Sequence, residues 1–163
     1  AEVAPDAYIL RLSCNCDGSS VAAATSENSV LLLDPAAGLK TMRSLVGHGD
    51  VVEDIGFFQS DPFCLASCSR DGSARVWDVR TPDAARSFKA SGDEVYSCSV
   101  GRGDTALACA SSEKVLLFDI ASGKRLCVYK DSHTDVVNHV RFHPVDTTKL
   151  LSGSEDNLVV VLD

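Results

Sequence analysis

The chain has 163 residues, of which 45% are hydrophobic and 23% are charged, and its formal net charge is −8. This length allows one domain, and the hydrophobic fraction is sufficient for a core, which argues against a disordered chain. The negative charge argues against a broad nucleic-acid surface, which needs clustered Lys and Arg. No apolar run approaches the roughly 20 residues of a membrane span, so we expect no membrane partner.

The predicted elements are strands throughout, because short runs of alternating or continuous apolar residues are separated by turn residues. The first strands cover 8–14, 21–25, 29–34 and 41–45, and the next cover 52–57, 64–69, 74–79 and 84–88. They are followed by 95–100, 106–110, 114–120 and 125–129, and finally by 136–142, 149–154 and 158–162. The pair Asp71-Gly72 is a hairpin signal. We predict no helix.

Four segments of this strand pattern are similar to one another and end in Asp. They read AAATSENSVLLLD, LASCSRDGSARVWD, ACASSEKVLLFD and LLSGSEDNLVVVLD, and they end at Asp34, Asp78, Asp119 and Asp163. The spacings between these aspartates are 44, 41 and 44 residues. A period in the low forties, built from strands alone, is typical of propeller blades.

Two of these units are preceded by a His and a strand-like run, in VGHGDVVEDIGFF and DSHTDVVNHVRFHP. With these flanks the sequence resembles the WD40-repeat β-propeller family over essentially its whole length. The resemblance implies an all-β fold, namely a partial WD40 propeller with about four blades of antiparallel four-stranded sheets, the last blade incomplete. It implies a single domain over 1–163, with blades at about 7–46, 47–90, 91–131 and 132–163.

The resemblance also implies a structural set of buried side chains. In the WD40 family a His, a Ser or Thr, an Asp and a Trp form a hydrogen-bonded chain that ties the loop before a blade to its inner hairpin. The complete set in unit two is His48, Ser67, Asp71 and Trp77, and unit four retains His133, Ser152 and Asp156, with Leu162 in place of the Trp. Counted without gaps, the corresponding residues are Ala23, Glu27 and Leu33 in unit one and Ala108, Ser112 and Phe118 in unit three. We therefore expect unit two to be the most rigid.

No residue is predicted to be catalytic. A Ser–His–Asp triad is rejected because the repeat explains these residues structurally, and neither a nucleophile elbow nor an oxyanion-hole motif accompanies them. The leading hypothesis is a non-catalytic scaffold that binds other proteins.

The seven cysteines contain no Cys-x-x-Cys motif, and a zinc site would need distant ligands such as His48. We expect reduced core cysteines and neither metal nor cofactor. The N-terminal AEVAPDAYIL lacks the basic region of a secretory signal, so we expect a cytoplasmic or nuclear location.

The four units leave the expected ring incomplete. The last unit ends after its third strand, and AEVAPDA is too short and too polar to supply the fourth. Both flanks should therefore expose unpaired edges and apolar faces. Two explanations stay open: the chain is the N-terminal half of a longer protein, or two copies close on each other as a homodimer.

A second hypothesis concerns LASCSRDGSARVWDVR, which resembles the box found in WD40 substrate receptors of cullin-4 ubiquitin ligases. In that family the Asp, the Trp-Asp pair and the Arg two residues later present a charged bottom face to the ligase adaptor. The resemblance places that face on Asp71, Asp78 and Arg80. Alternatively, Arg80 pairs with a neighbouring acid and has no such partner. A third hypothesis is a structural subunit of a large assembly in ribosome biogenesis, chromatin or a cilium.

Overall fold

The computed structural model describes residues 7–81, 83–90, 92–101 and 103–163, which form fifteen β-strands and no helix. Sheet one contains β1 (Ile9–Cys14), β2 (Val21–Thr25), β3 (Ser29–Asp34) and β4 (Lys40–Val46). Sheet two contains β5 (Val52–Phe57), β6 (Cys64–Ser69), β7 (Ser73–Asp78) and β8 (Ala84–Lys89). Sheet three contains β9 (Val95–Val100), β10 (Ala106–Ser111), β11 (Lys114–Asp119) and β12 (Arg125–Tyr129). Sheet four contains β13 (Val137–Phe142), β14 (Leu150–Ser154) and β15 (Val159–Leu162).

Each sheet is an antiparallel meander whose strands follow chain order. The first strands, β1, β5, β9 and β13, lie side by side at the centre of the arrangement. Hydrogen bonds join them, since Ser13 Oγ accepts the N–H of Phe57 and Ser99 Oγ accepts the N–H of Phe142, each at 3.2 Å. The four sheets form an open, partial WD40 propeller, which confirms the predicted fold class. Every observed strand end lies within one residue of its predicted position.

Three clusters of buried apolar side chains pack between neighbouring sheets. Val30 and Trp77 belong to the cluster between sheets one and two, and Val115 and Val140 to the cluster between sheets three and four. Between sheets two and three, the rings of Phe88 and Phe118 pack with their centroids 5.3 Å apart. A strand that is covered on both sides has few polar residues on either face, which explains why β6 and β10 consist of apolar residues and small serines.

The two end sheets each leave an apolar face uncovered. Leu12 lies opposite Ala23 on the side of sheet one that faces away from sheet two, and it is 66% exposed. On sheet four, Val161 lies opposite Leu151, and Val159, which is 75% exposed, points to the same side. Each end sheet therefore exposes several large apolar side chains on the face that no other sheet covers.

The expectation of core cysteines is correct for only part of the set. Cys68, Cys98 and Cys109 are buried, and all seven cysteines are free. The expectation is wrong for Cys14, Cys16 and Cys127, which are exposed. Their elements explain this result, because β1 flanks the open face of sheet one and β12 is the outermost strand of sheet three. In the described part of the chain, no helix has the length and apolar character needed to cross a membrane.

Candidate functional site

Four side chains of sheet two form one hydrogen-bonded chain. The Nε1–H of Trp77 on β7 donates to Ser67 Oγ on β6 at 2.8 Å, and this oxygen lies 2.8 Å from His48 Nε2. His48 Nδ1 lies 2.9 Å from Asp71 Oδ2, which also accepts the N–H of Gly49 at 2.8 Å. The chain thus links two strands, the β6–β7 turn and the loop that precedes β5.

The donors and acceptors of this chain fix the tautomer of His48. The carboxylate of Asp71 can only accept, so His48 Nδ1 carries the ring proton and donates to it, and Nε2 of the neutral ring is an acceptor. The hydroxyl of Ser67 accepts the indole N–H of Trp77 and donates its own proton to that Nε2. Each buried polar atom of these four side chains has a hydrogen-bond partner, which avoids the free-energy cost of burying an unpaired polar group.

The charges of this chain follow from its surroundings. Burial lowers the pKa of His48 below its ordinary value of 6.5; Asp71 opposes this shift and the charge of Arg75 adds to it. Burial alone would raise the pKa of Asp71, but hydrogen bonds from Ser73, Gly49 and His48 outweigh burial and lower that pKa to about 2. At neutral pH the pair is therefore a neutral imidazole and a carboxylate, which hold the loop that precedes β5 through their hydrogen bonds.

Sheet four contains the same chain without the indole. His133 Nδ1 lies 2.9 Å from Asp156 Oδ2, and His133 Nε2 lies 2.8 Å from Ser152 Oγ. Asp156 Oδ2 also accepts the N–H of Thr134 at 3.1 Å. At the position of the Trp, Leu162 is buried in the cluster against sheet three, so apolar contact replaces the indole hydrogen bond there.

Sheet one has Ala23 at the place of the Ser. In sheet three the predicted counterpart of Trp77, Phe118, is correct, since it lies opposite Leu107 as Trp77 lies opposite Leu65, but the predicted counterpart of Ser67, Ala108, is wrong. Ser67 lies opposite Arg75, and the residue of sheet three with the same place in the ladder is Cys109, opposite Leu116, rather than Ala108. The β10–β11 hairpin is one residue shorter than the β6–β7 hairpin, so a gapless count is displaced by one position. The place of the loop His falls on residue 91, which lies outside the described residues.

The box residues Asp71, Asp78 and Arg80 do not form a single cluster. Asp71 precedes β7 and Asp78 ends it, so the length of this strand separates them. Arg80 is close to Asp78: its Nε and Nη2 donate to the two carboxylate oxygens at 2.8 and 2.6 Å. These bonds lower the pKa of Asp78 to about 2. The guanidinium also lies 4.8 Å from the ring centroid of Phe63, so its orientation is fixed by two contacts.

A second charged group lies among the central strands, and the sequence reasoning did not find it. Asp54 on β5 is only 2% exposed. Its Oδ2 accepts the hydroxyl of Ser97 at 2.8 Å and the N–H of Cys98 at 3.2 Å, both on β9. Arg141 on β13 donates to the same oxygen through Nη1 at 3.0 Å, and Nε of Arg11 on β1 lies 3.9 Å from Oδ1.

This axial cluster connects the first strands of all four sheets. Nη1 of Arg141 also lies 2.8 Å from Ser97 Oγ and 3.0 Å from the carbonyl oxygen of Cys98. The first strand of each sheet is an edge strand, and these side chains satisfy backbone groups that would otherwise be unpaired. An Asp within a β-strand is unfavourable, and that was the available sign of a special role for Asp54.

The described residues contain no group of three or more His, Cys, Asp or Glu side chains placed to hold a metal ion. The polar clusters around His48, His133 and Asp54 join strands and loops to one another through hydrogen bonds and ion pairs.

Comparisons with known proteins agree with this architecture. The family model described as WD domain, G-beta repeat matches residues 39–78 and 123–163. The first match includes the complete His–Ser–Asp–Trp chain of sheet two, and the second includes the chain of sheet four that lacks the indole.

Several curated proteins are similar to the chain. WD repeat-containing protein GTS1 of Arabidopsis thaliana is 34% identical over 96% of this chain and 41% of its own length. The WD repeat-containing protein 89 homolog of Dictyostelium discoideum is 30% identical over 96% of this chain and 42% of its own. The human peroxisomal targeting signal 2 receptor is 31% identical over 71% of this chain and 37% of its own. The chain spans about two fifths of the length of these relatives. The repeat chemistry, the open four-sheet fold and these similarities show that the chain belongs to the WD40-repeat family.

Proposed function

We propose that the chain is a non-catalytic scaffold that binds other proteins and is completed either by further blades or by a second copy of itself. The observation that carries this proposal is the pair of uncovered apolar faces, around Leu12 on sheet one and around Val159 and Val161 on sheet four. Both faces have the character of the covered faces between the sheets, where apolar residues of neighbouring sheets pack together. The relatives, which are more than twice as long, favour further blades.

The family supports the same function. WD40 members generally act as scaffolds, and one relative is named as a receptor of a peroxisomal targeting signal. The hydroxyl of Ser67 in the hydrogen-bonded chain of sheet two belongs to a fully buried residue, which favours a structural role for that chain over a reactive one.

Light scattering of the 163-residue chain tests how its faces are covered. A mass twice that of the monomer, which Val159→Glu returns to that of the monomer, would support closure by a second copy. A stable monomer would support further blades as the natural cover. Aggregates without a defined mass would contradict a folded scaffold.

Arg80 favours a second, more specific candidate, which is binding to the adaptor of a cullin-4 ligase. Its side chain is 59% exposed although Asp78 and Phe63 hold it in place, so it is presented to solvent in a fixed orientation. A residue arranged in this way can contact a partner with little loss of side-chain entropy. The separation of Asp71 from this pair restricts the contact to Asp78 and Arg80.

Co-purification with the adaptor tests this candidate, with Arg80→Glu as the disrupting variant. Arg70→Glu is a matched control, because Arg70 is also exposed and ion-paired but precedes β7, at the opposite end of the sheet. Adaptor recovery that is lost only with Arg80→Glu supports the candidate. Recovery that is absent, or equal for both variants, removes Arg80 from the proposal.

A further inference from the structure

A cavity of about 260 Å³ lies in the groove between sheets two and three. It is separate from the hydrogen-bonded chain around His48 and from the axial cluster around Asp54. Its apolar wall consists of Ala90, Leu116 and Val128. Small-molecule sites usually measure roughly 300–1,000 Å³, so this cavity is better matched to a single side chain than to a cofactor.

The cavity exists because one position in the repeat differs between sheets two and three. Arg75 and Leu116 have the same place in their ladders, and Gly47 and Ala90 each lie five residues before the first residue of the next sheet. Between sheets one and two, the guanidinium of Arg75 extends over Gly47, to within 2.7 Å of the point where a Cβ would stand. The shorter Leu116 does not reach this far, so the corresponding space between sheets two and three stays open.

The rim of the cavity is strongly basic for a chain of net charge −8. Three cationic side chains border it, Lys114, Arg125 and Lys130. Asp93 is the acid among the bordering residues, and its Oδ2 lies 3.5 Å from Lys114 Nζ. Both partners of this ion pair are about two fifths exposed, so the pair is weak and open to exchange with an incoming carboxylate.

We propose that this groove binds an acidic segment of a partner protein, with an apolar side chain in the cavity and flanking carboxylates against Lys114 and Lys130. The inference rests on the proposed scaffold function and specifies one of its binding surfaces. Among the described residues that border the cavity there is no aromatic ring on which a base could stack, which favours a peptide over a single-stranded nucleic acid.

The test uses labelled peptides that alternate Glu with Leu or Val, and the same peptides with Gln in place of Glu. Fluorescence anisotropy should show binding of the Glu series that weakens with salt, and clearly weaker binding of the Gln series. Lys130→Glu should weaken binding about tenfold, the effect of losing one good charge contact. Lys89→Glu is the matched control, because Lys89 has the same place on sheet two beside the filled groove, and binding should be unchanged.

Leu116→Arg provides an independent variant, because it copies the arrangement at Gly47 and Arg75 and should fill the cavity. Binding should be lost while circular dichroism remains that of a folded β protein. Lys114→Glu gives the same test at an exposed position if Leu116→Arg fails to fold. Absence of binding, equal binding of the Glu and Gln series, or equal effects of the Lys130 and Lys89 variants would overturn the proposal. Binding of a single-stranded oligonucleotide with the same dependence on Lys130 would also overturn it. These outcomes leave the mass measurement untouched, so failure here is distinguishable from failure of the scaffold function.

Discussion

Gly47 lies directly below the guanidinium of Arg75, with space for a hydrogen atom but not for a methyl group. A Cβ at residue 47 would stand 2.7 Å from Nη1 of Arg75 and 3.2 Å from the ring of Trp77. We therefore expect Gly47→Ala to lower the free energy of unfolding by about 1 kcal/mol, because the guanidinium of Arg75 must move aside and the buried ring of Trp77 must give by a few tenths of an ångström. Urea unfolding of the variant measures this change.

The rest of the chain indicates how to relieve that clash. Sheet three combines Ala90 with Leu116 where sheet two combines Gly47 with Arg75. The double variant Gly47→Ala/Arg75→Leu should therefore recover most of the lost stability, especially since Arg75 Nε is buried without a hydrogen-bond partner. If the effects of the two substitutions on the free energy of unfolding are additive, the contact with Arg75 is not the reason that residue 47 is a glycine.

Removal of His48 should break the loop chain of sheet two at its centre. His48→Ala leaves Asp71 and Ser67 without their ring partner, so we expect a loss of about 2 kcal/mol in the free energy of unfolding. His139→Ala is the control, because His139 is exposed on β13 and its loss should cost less than about 0.5 kcal/mol. Equal losses for the two variants would contradict the role of the chain.

Hydrogen exchange should be slowest in sheet two. This sheet is covered on both faces and contains the complete polar chain, whereas sheet four has an open face and lacks the indole. Amides of β6 and β7 should therefore show the highest protection among the described strands. Greater protection in β10 and β11 would show that apolar packing, rather than the polar chain, determines local stability.

Acid should destabilise the fold in two separate pH ranges. The pKa of His48 in the folded chain lies below 6.5, its ordinary value in the unfolded chain. At a pH between the folded and the unfolded pKa, the unfolded chain binds a proton that the folded chain does not, so stability falls as the pH decreases. The folded pKa of Asp71 is about 2 against an ordinary 3.8, so its contribution is present above 3.8 and is lost as pH falls towards 2. Unfolding measured across pH for the native chain and for His48→Gln should differ in slope in the first range. Parallel curves would contradict this account of His48.

The axial carboxylate should be more important for stability than its exposed arginine partner. Asp54→Ala removes the acceptor for Ser97, for the Cys98 N–H and for Arg141, and we expect a loss of about 3 kcal/mol. Arg141→Ala leaves Asp54 with two donors on β9, so its cost should be smaller, about 1 kcal/mol. A double-mutant cycle should give a coupling of about 1 kcal/mol between them, and no coupling would contradict a direct ion pair.

The positions of the strands could be predicted from the sequence because they depend on local patterns, and their pairing into antiparallel sheets was implied by the resemblance to the WD40 family. Alternating apolar residues and turns such as Asp71-Gly72 determine where each strand begins and ends, within one residue. The contacts of Asp54 could not be predicted in this way. Its partner Arg141 is 87 residues distant, and the contact depends on how three separate sheets pack.

Smaller differences also have physical causes. Shortening of the β10–β11 hairpin by one residue moved the true counterpart of Ser67 to Cys109, which a gapless count cannot detect. The exposure of Cys14 and Cys127 depends on which strand is outermost and which face is uncovered. The sequence of a strand does not show which elements will cover it, so the exposure of these two thiols followed only from the assembled sheets.

The first strands do not use one set of acceptors at every step around the centre. A Ser hydroxyl accepts a Phe N–H between sheets one and two and again between sheets three and four, at Ser13 and Ser99, whereas the buried carboxylate of Asp54 is the acceptor between sheets two and three. The repeats are consequently not interchangeable, although their hairpins are alike. Recombination that exchanged or duplicated a single repeat would bring together inner edges whose donors and acceptors do not match. A few side chains at the centre therefore determine which repeats can be neighbours. An engineered propeller built from these repeats would need substitutions at those positions first.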